Sequence, residues 1–165
     1  MRNFIPHATA PFGESCQKIL TRRIVLMKPY TKTAKYYETD QMGVIHHSNY
    51  IRWMEEARVD MLNQIGYPYR RFEEMGYISP VLHVDCEYKK SVKFDDEVRI
   101  IVRLQEAGRV KFTLRYDIYN LSEGGVLSAC GTTTHCFLRK DGRPVLMDKE
   151  MKEFAEVMRN TLEQV

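Results

Sequence analysis

Thr39-Asp40-Gln41-Met42-Gly43-Val44-Ile45-His46-His47-Ser48-Asn49-Tyr50 places a carboxylate, a glycine and two histidines just ahead of a helix. The helix is predicted over roughly 49–65. Tyr50, Trp53, Met54, Ala57, Met61 and Ile65 recur there at helical spacing and make one apolar stripe. Ile51 and Leu62 fall outside that stripe, so the buried face is broad. Gly66 stands where a C-cap belongs, and Pro68 blocks continuation. Ser48 or Asn49 is expected to cap the N-terminus through its side-chain oxygen.

Outward from this helix, the pattern is that of strands. Thr31 to Thr39 carries threonines and tyrosines suited to a strand before the helix. Residues 69–75 read as a second short helix, ended by Gly76. Alternation then runs through Ile78 to Lys89 with a break at Val81, and through Val98 to Leu104 with an exception at Ile101. Val110 to Ile118 alternates without a break, and Val126 to Leu138 is rich in small and β-branched residues. Met147, Met151, Phe154, Met158 and Leu162 form the stripe of a terminal helix. Four consecutive strands joined by turns exclude a doubly wound sheet. The order predicts an α+β fold in which a curled antiparallel sheet wraps one long central helix, with a C-terminal helix.

A chain of 165 residues suits one domain. The first 28 residues differ in pattern, so 1–28 are read as an N-terminal extension and 29–165 as the domain. The extension is either a tail or lies upstream of a true start at Met27; a secretory signal is not expected, because no small-residue cleavage site follows its apolar run. Hydrophobic residues at 44% and charged residues at 28% are ordinary for a globular protein. A net charge of +3 is too small to argue for nucleic acid. No apolar run approaches a membrane span, which predicts a cytoplasmic protein. Cys16, Cys86, Cys130 and Cys136 lack metal-ligand spacing and read as free thiols.

A carboxylate beside a helix N-terminus pairs a base or nucleophile with N–H groups that stabilise an oxyanion, which suits cleavage of an acyl bond. Asp40 alone would be read as a turn residue. With Gly43, His47 and Tyr50 at their spacings, catalysis is the better reading. Asp40 and His47 are therefore the catalytic candidates. Gly43, Val44, His46, Ser48 and Tyr50 are the substrate-contact candidates, and Gly43 allows close approach of the backbone to a ligand. His47 acts either by capping and orienting or by direct proton transfer. A metal at His46-His47 is not expected, since adjacent side chains diverge and no third ligand lies at helix spacing. Glu55 and Arg58 are read as a salt bridge within the helix or across an interface. Lys89, Lys90, Arg109, Lys111 and Arg115 are read as mostly solvated strand-face charges.

The element order and the segment TDQMGVIHHSNYIRWMEEAR resemble the hotdog-fold acyl-CoA thioesterases of the YbgC and 4-hydroxybenzoyl-CoA thioesterase group. The resemblance runs from Tyr30 to Val145 and includes YKKSVKFDDEV, with Asp96 and Val98. It implies that Asp40 is the catalytic carboxylate. It also implies that His47 stands where a backbone N–H polarises the thioester carbonyl. Glu55, Ala57 and Arg58 match the helix signature that follows. The expected activity is hydrolysis of acyl-CoA to a carboxylic acid and CoA, without a cofactor. The expected assembly is a homodimer or homotetramer with sites at subunit interfaces. Two alternatives stand beside this: a hotdog module that binds acyl-CoA without turning it over, and an acyl-carrier-protein thioesterase. A hotdog dehydratase would need a His and an acidic residue placed differently.

Overall fold

The computed structural model describes residues 27–162, so most of the 1–28 extension, including Cys16, lies outside the described residues. Met27 already packs on the core, and the Lys28 backbone exchanges two hydrogen bonds of 2.9 Å with the Gln64 side chain. Five strands form one antiparallel sheet: β1 (Tyr30–Thr33), β4 (Glu97–Ala107), β5 (Lys111–Asn120), β6 (Val126–Cys136) and β3 (Val81–Tyr88), in that spatial order. A separate pair joins β2 (Tyr77–Ile78) to β7 (Leu138–Arg139). The long helix α1 (His47–Gln64) lies against the sheet, and α2 (Tyr69–Glu74), α3 (Met147–Glu150) and α4 (Lys152–Leu162) are the other α-helices among the described residues.

Alternation decides which face meets the helix. Val98, Ile100 and Val102 of β4 and Phe112, Leu114, Tyr116 and Ile118 of β5 are buried, and they share a face because Ile100 pairs with Ile118 and Val102 with Tyr116. Against them α1 sets Tyr50, Trp53, Met54, Ala57, Met61 and Leu62, all buried. Closest approach falls at Gly131 of β6, where a Cβ would stand against the Asp85 carbonyl and 2.5 Å from Met54 Cε. Glycine is required there by packing. A second cluster of rings, Tyr67, Phe72, Phe137 and Phe154, closes the far end with centroids 4.8 to 6.0 Å apart.

Several boundaries differ from expectation. The first strand stops at Thr33, and Tyr36–Glu38 form a 3-10 turn because the Glu38 carboxylate accepts the Lys35 N–H at 2.7 Å. The strand expected from Ile78 begins at Val81, since Pro80 has no N–H for the ladder. Helix α1 begins at His47, and its N-cap is His46, not Ser48 or Asn49. The expected terminal helix is broken at Met151 into α3 and α4. Gly66 does end α1, at a φ of +81°. Cys86, Cys130 and Cys136 are free. Among the described residues no helix is long and apolar enough to cross a membrane.

Candidate active site

The Asp40 loop is a tight turn tied at both ends. Gly43 N–H donates to the Asp40 carbonyl at 3.0 Å, and Asp40 N–H donates to the Val44 carbonyl at 2.9 Å. Gly43 takes a φ of +73°, which costs a residue with a Cβ about 1–2 kcal/mol. The Asp40 side chain bonds within its own turn, Oδ1 accepting the Met42 N–H at 2.8 Å. Its other oxygen has no partner among the described residues. Val44 bridges Lys93, and Ile45 N–H donates to the Val92 carbonyl at 2.8 Å, so the loop is stitched to the segment before β4.

One carbonyl joins this loop to the helix. Glu38 O accepts His46 N–H at 2.9 Å and Asn49 Nδ2–H at 2.7 Å. Asn49 thus spends its Nδ2 on the loop, and its Oδ1 accepts from Arg52 Nη1 at 3.2 Å. It lies inside α1 instead of ahead of it, so it does not cap the helix. His46 caps instead: its Nδ1 accepts from Ser48 N–H at 3.3 Å and lies 2.9 Å from Ser48 Oγ. The Asn49 N–H goes to the His46 carbonyl at 2.9 Å. His47 N–H, the first of the helix, has no partner among the described residues. Its imidazole is exposed and lies 4.0 Å from the His46 ring, centroid to centroid. Tyr50 is buried between Trp53 and Tyr88 at 5.0 and 5.2 Å, and burial pushes its phenol up.

Two supporting groups, Glu38 and Tyr88, are not among the sequence candidates, and the sequence reads a third, Arg58, only as an ion pair. Glu38 is almost wholly buried and meets Trp53 Nε1–H at 2.8 Å and Lys32 Nζ at 3.3 Å. Burial alone would raise its carboxyl; the Lys35 N–H, Trp53 and Lys32 outweigh that and hold it below the usual range. Its signal was slight: an acidic residue two places before Asp40. Tyr88, at the end of β3, donates its hydroxyl to the His47 carbonyl at 3.1 Å. Arg58 is more than a surface ion pair. It lies 3.8 Å from Glu55, as expected, yet is 5% exposed and donates to Tyr69 Oη and His135 Nε2, both at 3.3 Å.

Of the predicted residues, Asp40, Gly43, Val44, His46, His47 and Ser48 form one continuous turn and helix start, with Tyr50 behind it in the core. Among the strand-face charges, Lys89 pairs with Glu87, Arg109 with Asp148 and Arg115 with Asp117. An antiparallel sheet curled around one long helix is the hotdog architecture. Residues 35–155 match the thioesterase-like superfamily, and the chain belongs to it. The 1,4-dihydroxy-2-naphthoyl-CoA hydrolase of Thermosynechococcus vestitus is 31% identical over 68% of this chain and 77% of its own. The solved DHNA-CoA thioesterase of Staphylococcus aureus is 33% identical, covering 78% of this chain and 86% of that one, with a TM-score of 0.73. A hypothetical protein of Aquifex aeolicus has a structure that is 35% identical over 80% of this chain and 99% of that one, TM-score 0.72.

Proposed function

We propose that this protein hydrolyses acyl-CoA thioesters to a free carboxylic acid and CoA. The observation that carries the reading is one short segment that holds both Asp40, with a carboxylate oxygen unpartnered among the described residues, and the start of α1, whose His47 N–H is likewise unpartnered. The two are tied together through the Glu38 carbonyl, which takes His46 N–H and Asn49 Nδ2. The thioester oxygen accepts from the helix N-terminus as negative charge develops on it. Asp40 then takes one of two routes. As a base it removes a proton from water while the water oxygen bonds to the carbonyl carbon; the C–S bond breaks and CoA leaves as thiolate, to be protonated. As a nucleophile it attacks the carbon itself, CoA leaves, and water hydrolyses the resulting anhydride. No cofactor takes part in either route. Val44, His46 and Ser48 flank the bound thioester, with Tyr50 packed behind them.

The named relatives act on a naphthoyl-CoA, so aromatic acyl-CoAs belong in the first panel beside short and long aliphatic ones. Thiol release from CoA esters, run beside the same acyl groups on acyl carrier protein, tests the proposal. Release from at least one CoA ester at many turnovers per site is the expected result. Saturable binding of acyl-CoA with no thiol released would instead establish a binding module. That reading gives the Asp40 carboxylate nothing to do, which is why hydrolysis is preferred.

A further inference from the structure

Resting on that reading, we propose that Tyr88 is a positioning residue for the reaction: from the end of edge strand β3 its hydroxyl holds and polarises the first peptide group of α1.

The phenol touches the first turn of α1 twice. Its hydroxyl donates to the His47 carbonyl at 3.1 Å, and its ring meets Tyr50 edge-on at 5.2 Å. Tyr50 is 3% exposed and packed in the core, so the ring contact sets where the Tyr88 hydroxyl points. The strand that carries Tyr88 is itself anchored there: Tyr88 pairs with Ala129, and the Lys89 and Lys90 N–H groups both donate to the Ser128 carbonyl, at 2.8 and 3.0 Å.

Helix geometry makes the hydroxyl more than packing. The carbonyl of His47 already faces the N–H four residues on, as in any α-helix. A second donor on the same oxygen draws electron density through the peptide away from the Ser48 nitrogen, so that N–H becomes a better donor to His46 Nδ1 and the cap of α1 is strengthened. The bond also resists fraying of the turn that presents the His47 N–H. Burial, and then the neighbouring Cys86, push the Tyr88 phenol up to about 12, so it stays a donor at every pH near neutrality. Tyr88 is 49% exposed, and an exposed tyrosine with no catalytic partner is usually read as surface.

Tyr88→Phe keeps the ring on Tyr50 and removes only the hydroxyl. It is measured beside Asp40→Asn, with benzoyl-CoA and hexanoyl-CoA as substrates and with the amide proton of Ser48 followed by NMR. We expect kcat to fall about three- to tenfold on both, the range one neutral hydrogen bond corresponds to. KM should stay near the parent value, because the lost interaction serves the transition state and not ground-state binding. The Ser48 amide should move upfield, and the thermal midpoint should fall by no more than about 4 °C. If Tyr88→Phe turns over like the parent while Asp40→Asn is inactive, Tyr88 only packs and the inference is overturned. If Asp40→Asn keeps full turnover, or the parent releases no thiol, the functional reading fails. Tyr88 is then judged on Ser48 alone, where an unmoved amide overturns the positioning role and an upfield shift sustains it.

Discussion

Asp40 holds one oxygen against the Met42 N–H and leaves the other free, so Asp40→Asn preserves the Asx-type bond and the turn while removing the basicity. Loss of general-base catalysis should lower turnover by about 10²–10⁴-fold. Substrate binding should change little, because the helix N-terminus and its N–H groups survive. His47→Ala is the contrast. Its backbone N–H remains, so a role confined to that N–H predicts a much milder loss, whereas proton transfer by the exposed imidazole predicts a loss like that of Asp40→Asn. Steady-state kinetics on the best acyl-CoA found decide between them. Near-parental turnover in Asp40→Asn would return Asp40 to the status of a turn residue.

At the level of elements, the tightest constraint lies where α1 crosses β6 at Gly131. Gly131→Ala must displace the Asp85 backbone or the Met54 side chain, and overpacking of this kind costs about 1–3 kcal/mol. Urea denaturation should show a lower midpoint with an unchanged slope; an unchanged midpoint would mean that the sheet opens there at no cost. Nothing local marked this glycine, because its neighbour Met54 is 77 positions away in the chain. The strands of β4 and β5 were legible because one face is buried and the other wet, which writes a period of two into the residues. Strand β1 was overextended in the reading, since the 3-10 turn depends on Glu38 reaching back to the Lys35 N–H. The helix cap was misplaced for a similar reason: Asn49 has the right chemistry for a cap, but α1 starts before it, its Nδ2 goes to the Glu38 carbonyl and its Oδ1 accepts from Arg52. The Asp40 turn was legible as a unit because its residues are contiguous, whereas Arg58, His135 and Tyr88 are joined only by folding.

On the scale of the molecule, two features govern stability and assembly. The first is a buried polar chain in which the Tyr116 hydroxyl meets Thr133 at 2.8 Å, Thr133 meets His135 Nε2 at 2.7 Å, and Arg58 Nη1 meets the same nitrogen at 3.3 Å. Burial, and then the Arg58 charge, push His135 down to about 4 from an ordinary 6.5. Between those values the unfolded chain takes a proton that the folded one refuses. Stability is therefore whole above pH 6.5 and falls by roughly 3 kcal/mol as pH drops toward 4. His135→Gln should flatten that part of the pH profile in denaturant titrations; an equally steep profile would exclude His135 as its source. The second feature is β3, an edge strand with Val81, Leu82, Val84 and Tyr88 each 40–50% exposed. An apolar edge with unpaired backbone groups invites another strand. Because β3 also carries Tyr88 to the start of α1, a second copy paired there would border that helix start. We expect a symmetric homodimer at least, with each site built from two chains. Light scattering at micromolar concentration should give twice the mass of one chain or more. Val84→Lys puts a charge on the exposed strand and leaves Asp40 in place, and should shift the mass toward the monomer and lower activity with it. A fully active monomer, parental or variant, would show that each chain completes its own site.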